Sequence, residues 1–245
     1  MIQQKLSLVL IILITSGCID PPQYDDEYEA QFERETQNPR ELFASGYFPE
    51  VYGEPIVGNC DWPSGPHPLI GEVEEDWFSD QLIAAREPSL HLLSQQQLRP
   101  SFILRFSYLP SFSPSIFVRV YKDTDDHFLI AKRLSGLGGY DAGTIASSKK
   151  IRLTSDQVDS LKRLLVEEAL FNEPADDCSI GFDGATLIFE QVDENGYKMV
   201  KRWSPSEGSA YNLGLHLHRL TGWNTDQQCI RPLPYPFQDT EFACR

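Results

Sequence analysis

The sequence predicts an α+β fold: an antiparallel sheet built from hairpins, with two amphipathic helices packed on it. Three observations carry that expectation. Apolar residues alternate with period two in several segments between residues 102 and 203, the pattern of strands whose side chains point to opposite faces. Turn-forming runs, Asp123-Thr124-Asp125-Asp126 and Asn195-Gly196, sit between pairs of those segments and reverse the chain as hairpin turns do. Two further segments, opening at Thr154 and near Glu207, space their apolar residues as one helix face does. Hairpins make neighbouring strands antiparallel, and an amphipathic helix must bury its stripe, so the helices cover at least one face of the sheet.

Taken in order, residues 74–86 read as a short helix with Trp77, Phe78, Leu82 and Ala85 roughly on one side, closed by Pro88. Glu87-Pro88-Ser89-Leu90 opens a second short segment running to Leu98. Residues 102–108 set Phe102, Leu104, Phe106 and Tyr108 against Ile103, Arg105 and Ser107, which reads as a half-buried strand. Residues 115–122 repeat the alternation, and residues 128–134 return after the acidic turn to complete a hairpin. Residues 144–153 add another strand. Thr154 is a good N-cap, and Gln157 three residues on makes a capping box. Val158, Leu161, Leu165 and Ala169 then share a helix face that stops before Pro174. A second hairpin joins residues 185–192 to 197–203, and a final helix over residues 207–220 buries Ala210, Leu213, Leu217 and Leu220, with Gly222 able to end it. The order is strand, hairpin, strand, helix, hairpin, helix. Hairpin followed by helix occurs twice, over residues 115–171 and 184–221, without matching residues that would make it a repeat.

The chain has 245 residues, 41% hydrophobic and 23% charged, which is a globular composition. A net charge of −15 argues against binding nucleic acid through its phosphates. The N-terminus is distinctive. Lys5 precedes an apolar stretch over residues 6–14, too short to span a bilayer but suited to the apolar region of a secretory signal. Thr15, Ser16 and Gly17 are small, and Cys18 follows at once. An ordinary signal peptidase could cut after these small residues. The run Ile14-Thr15-Ser16-Gly17-Cys18 resembles the lipobox of bacterial lipoproteins; that resemblance implies cleavage before Cys18 and a lipid on its thiol. With Ile19 rather than Asp next, similarity to enterobacterial lipoproteins implies release to the outer membrane.

Cysteine parity favours the lipid. Setting Cys18 aside leaves Cys60, Cys178, Cys229 and Cys244, an even number for an exported chain. Pairing Cys229 with Cys244 would close a loop of about 15 residues around a Pro-rich tail, worth roughly 3 kcal/mol. Cys60 would then pair with Cys178. This is the first-ranked of three connectivities, and free thiols would instead need a reducing compartment. The expected organisation is a signal peptide over residues 1–17, an acidic flexible tether over 18–45, and one α+β domain over 46–245. That domain begins irregularly and ends in the cysteine-bracketed tail. Within the tether, eight acids between Asp20 and Glu41 oppose only Arg34 and Arg40, a net −6 that keeps it solvated.

Across residues 102–222, Arg105-Phe106, Leu109-Pro110-Ser111-Phe112, Val118-Arg119-Val120, Gly136-Leu137-Gly138-Gly139-Tyr140 with Gly143, Asp183-Gly184-Ala185 and Arg202-Trp203-Ser204-Pro205 form a spacing pattern. It resembles a family of exported bacterial proteins, many of them lipoproteins by sequence, that has no assigned activity. The resemblance implies export and carries over no functional residue.

The motifs for catalysis are missing. Residues 136–143 (GLGGYDAG) match neither GxGxxG opening a helix nor a P-loop, so their glycines read as a tight connection between strands. His67, His91, His127, His216 and His218 have no HExxH or zinc spacing, and no GxSxG elbow occurs. No catalytic residue, metal or cofactor is therefore expected. Residues 115–153 hold seven basic side chains (Arg119, Lys122, Lys132, Arg133, Lys149, Lys150 and Arg152) against four acids. They read as the solvated face of strands, or as a patch for an acidic partner or lipid headgroups. The functional expectation is a lipid-anchored bacterial envelope protein, in the outer membrane facing the periplasm or at the cell surface. It would be a non-catalytic binding or structural module. Its partner would be the membrane, through Cys18, with any protein partner open and no nucleic acid or metal. The alternatives are an inhibitor or immunity-type protein neutralising a basic toxin or enzyme, and an envelope hydrolase.

Overall fold

Strand-forming segments of similar length, joined by tight turns, pair with their chain neighbours, and the hydrogen-bond register follows from the turns. In the computed structural model, which describes residues 47–49, 69–96, 100–179, 181 and 183–223, six such strands form one antiparallel sheet. They are β1 (Ile103–Pro110), β2 (Ile116–Asp123), β3 (Asp126–Leu134), β4 (Ile145–Arg152), β5 (Ala185–Asp193) and β6 (Gly196–Trp203). Their order across the sheet is β4-β3-β2-β1-β5-β6. β1 to β4 form a meander, and β5 returns to pair with the free side of β1. Helices α1 (Glu72–Ala84) and α2 (Leu90–Ser94) precede the sheet, α3 (Ser155–Glu168) joins β4 to β5, and α4 (Ser209–Leu220) follows β6. The chain has an α+β fold. The expectations for residues 1–45, for Cys18 and for Cys60, Cys229 and Cys244 fall outside the described residues.

The capping box at α3 forms in both directions: Gln157 N–H donates to Thr154 Oγ1 at 3.3 Å, and Thr154 N–H donates to Gln157 Oε1 at 2.9 Å. The helix ends at Ala169, which takes a left-handed conformation (φ 48°) as its C-cap instead of continuing the apolar stripe. At the β5–β6 turn, Asp193 Oδ1 accepts from Asn195 N–H at 2.7 Å. α4 starts two residues later than its apolar spacing suggests, because Gly208 takes φ 87° just before it.

A correction of substance concerns β1. It lies at the centre of the sheet and is buried at every position, not half-buried. Leu104, Phe106 and Tyr108 join the larger core, with Val118 and Val120 of β2 and Leu187 and Phe189 of β5, under α3 and α4. Leu109 faces the other way, into a second core with Phe117, Leu134, Ile188 and Met199, closed by Phe78 and Leu82 of α1 together with Tyr47 and Phe48. The sheet is therefore covered on both faces. Arg105 and Ser107 made the second face look wet in the sequence, yet both are buried.

Candidate functional site

A charged cluster lies inside the second face. Arg105 on β1 is directly opposite Arg119 on β2 and Glu190 on β5, so the three side chains form a row across the sheet. Lys132 of β3 lies beside this row, and Glu87 enters from the connector between α1 and α2. All five side chains are at most 2% exposed. Glu190 Oε2 accepts from Arg105 Nε at 2.7 Å, and its Oε1 accepts from Tyr197 Oη at 2.9 Å. Glu87 Oε2 accepts from Arg119 Nε at 2.8 Å, and its Oε1 lies 3.2 Å from Lys132 Nζ. Three cations thus share two carboxylates. Backbone carbonyls take the remainder: Lys132 Nζ donates to Arg86 O at 3.1 Å, and Arg105 Nη1 donates to Pro88 O. Tyr47 Oη donates to Glu87 O at 2.9 Å, and Ser89 Oγ donates back to Tyr47 O at 2.7 Å.

Burial is the largest single influence on Glu87 and acts to raise its pKa. Arg119, Lys132 and Arg105 together overcome it and hold the carboxyl at about 2. Burial also pushes the Tyr47 phenol up from its ordinary value. A cluster so enclosed offers no surface to a substrate. Its work is to fasten the α1–α2 connector to the sheet. Arg119 and Lys132 are thus not part of a solvated basic face. The available signal was a charged residue inside each of several apolar, alternating segments, since Lys, Arg and Glu are rarely buried unless paired. Glu87 gave no such signal, because it lies outside any strand.

The glycine-rich loop between β3 and β4 is a clamp. Gly138 N–H donates to Ser113 O at 3.0 Å, and Gly139 N–H donates to Ser111 O at 3.1 Å. Gly138 O accepts from Trp77 Nε1 and, at 2.9 Å, from Gln81 Nε2. A Cβ on Gly138 would sit 2.5 Å from Pro110 O, and one on Gly139 would sit 2.7 Å from Ser111 O. The glycines permit this close backbone approach, and their N–H groups are spent on carbonyls rather than pointed at a phosphate. The loop carries Leu137 and Tyr140 outward, with the Tyr140 ring 6.0 Å from that of Phe112.

The histidines are scattered. His91 is on α2 against Tyr197, His127 is the second residue of β3, and His216 and His218 lie on α4. Burial lowers the pKa of each. His67 falls outside the described residues. Among the described residues, no three His, Cys, Asp or Glu side chains are grouped to hold a metal ion. No helix among them is long and apolar enough to cross a membrane. Cys178 lies before β5, where its N–H donates to Asp176 Oδ1 at 3.1 Å, and it is not a free thiol.

One solvent-open recess stands out, at the end of the sheet that carries the β2–β3 turn. Phe102, Val120 and Leu153 form its floor, and Val158, Leu161 and Leu165 of α3 form its wall, enclosing about 190 Å³. Lys122, His127 and Lys162 also line it. Burial lowers the His127 pKa first, and Lys162 and Lys122 lower it further against the opposing pull of Asp126. The Asp126 carboxylate is itself engaged by Arg152 Nη2 at 2.6 Å. Sequence reasoning did not find this recess, because its residues come from the residue before β1, from β2, β3 and α3, and from the residue after β4.

No protein-family model and no curated protein matches the chain.

Proposed function

We propose that the chain is a lipid-anchored protein of the bacterial envelope, working as a non-catalytic binding module. The observation that carries the reading is the N-terminal run: Lys5, the apolar residues 6–14, then Thr15-Ser16-Gly17-Cys18. A lipid on Cys18 would hold the protein at the membrane, and two or more acyl chains bury enough methylenes for stable anchoring. The acidic stretch to residue 45 then spaces the domain from the surface. Export also fits Cys178, which is not a free thiol; Cys60–Cys178 and Cys229–Cys244 are the proposed pairs. The folded part supports a binding role in one respect. Its charged residues inside the sheet are spent on holding the layers together, while the recess under α3 opens to solvent.

The test is the intact mass of the full-length protein purified from cells that process it. The expected product begins at Cys18 and carries the mass of an attached lipid, and Cys18→Ala leaves residues 1–17 in place and unlipidated. An unmodified Cys18, or residues 1–17 retained on the unsubstituted chain, overturns the proposal.

A further inference from the structure

We propose that the recess between the sheet and α3 binds the acyl end of a single-chain anionic amphiphile, with its carboxylate or phosphate held at the mouth by Lys122, Lys162 and His127. This goes beyond the anchoring proposal and does not rest on it. The recess separates two chemistries. Its interior is walled by Phe102, Val120, Leu153, Val158, Leu161 and Leu165, with nothing there to bond a polar group. Its cationic side chains are Lys122 and Lys162, both exposed, with the half-buried His127 between strand and helix. At roughly 30 Å³ for each water-sized group, a space of about 190 Å³ holds about six methylenes. That is the length of a short acyl chain or of the end of a longer one.

The charge at the mouth opposes that of the molecule. The chain carries −15 overall, which at long range repels an anion. At physiological salt the screening length is about 8 Å, so the groups lining the recess outweigh the distant acids. Of the acids in the neighbouring turn, Asp126 is paired with Arg152 at 2.6 Å, while Asp123 and Asp125 are exposed. Burial first, and then Lys162 and Lys122, lower the His127 pKa against the pull of Asp126, and the imidazole donates at least one hydrogen bond in either protonation state. An apolar ligand with a cationic head would meet both lysines at close range and be repelled.

Photocrosslinking tests this on the full chain, whether or not it carries a lipid. The probe is octanoate bearing a diazirine at its terminal carbon, and labelled peptides are mapped by mass spectrometry. Labelling is expected to concentrate on residues 158–165 and on the peptides holding Phe102 and Val120. Competition by octanoate, octyl phosphate or both supports the proposal, and their ratio tells a carboxylate site from a phosphate site. Two variants sharpen the test: Lys122→Glu with Lys162→Glu, both exposed, and Leu165→Trp, which fills the recess. At the upper range for exposed ion pairs, losing both attractions lowers probe affinity about tenfold or more, and Leu165→Trp abolishes site-specific labelling. Labelling spread evenly over the surface overturns the proposal. So does competition by octanol or octyltrimethylammonium equal to that by octanoate, or labelling unchanged in both variants. Failure of lipid attachment at Cys18 leaves these outcomes untouched, so the two proposals fail separately.

Discussion

Replacing Glu87 with Gln tests whether the buried cluster holds the molecule together. Glu87 faces Arg119 at 2.8 Å and Lys132 at 3.2 Å, and its own side chain is 1% exposed. Gln keeps the shape and removes the charge, so three buried cations are left with Glu190 alone. Breaking a buried ion pair by removing one partner costs about 3–5 kcal/mol. The titration of Glu87 gives a second route to the magnitude. Its carboxyl falls from 4.5 to about 2 on folding, and at about 1.4 kcal/mol per unit this is roughly 3 kcal/mol of linked stability. Because the folded pKa is the lower one, that stability is present above pH 4.5 and is lost as the pH falls toward 2. The assay is urea denaturation followed by circular dichroism, repeated between pH 7 and pH 2. At pH 7 Glu87→Gln should lower the unfolding free energy by about 3–5 kcal/mol, a large share of the 5–15 kcal/mol typical of a domain. On acidification the unsubstituted protein should lose roughly 3 kcal/mol more than the variant. Adding Lys132→Met to Glu87→Gln should recover part of the loss by removing a stranded cation. A loss below about 1 kcal/mol at pH 7, with parallel pH profiles, would refute the reasoning, since surface pairs have that value.

Gly138→Ala places a methyl 2.5 Å from Pro110 O; thermal melts should show it destabilised by at least about 2 kcal/mol, because backbone must move to admit it. Thr154→Ala removes the capping box of α3 and should cost about 1 kcal/mol in the same melts. Tyr197→Phe leaves Glu190 Oε1 without the hydroxyl that donates to it at 2.9 Å, with an expected loss of about 1–3 kcal/mol. Tyr140→Ser, at an exposed ring, should change stability by less than about 0.5 kcal/mol and serves as the control.

The hairpins and the two later helices were legible because local chemistry specifies them. Thr154 with Gln157 opens α3, and Asn195-Gly196 turns β5 into β6. Period-two alternation marked β1 and β2. What alternation could not show is which polar face is wet. Arg105 in β1 and Glu190 in β5 look like solvent-side residues until the strands are set next to each other, because pairing between residues 85 positions apart is not a local property. The same holds for Glu87, which sits in no periodic segment and acquires its partners only when α1 and α2 fold over the sheet. The recess under α3 was hidden for a related reason. Val158, Leu161 and Leu165 were read correctly as an apolar stripe, but nothing along the chain says that the stripe is incompletely covered at one end.

The cluster also bears on how this sheet reaches a single register. β5 joins β1 only after the whole of β2 to β4 and α3 has intervened, so no turn fixes their alignment. With apolar residues on both faces, a shift of one residue would still bury Leu and Ile on either side, and hydrophobic burial alone would discriminate weakly. The charges discriminate strongly. A one-residue slip turns every side chain of a strand to the opposite face. Shifting β5 would therefore move Glu190 into the core where Phe106 stacks on Phe189, ring centroids 5.0 Å apart, and leave Arg105 buried opposite an apolar neighbour. An unpaired charge in that setting costs several kcal/mol, more than any gain from alternative packing. The Arg105–Glu190 pair contributes modestly as an attraction, since each ion gave up its water to form it. Its larger effect is to make the misaligned sheets unaffordable, and Glu87 extends the same constraint to the connector that closes the second face.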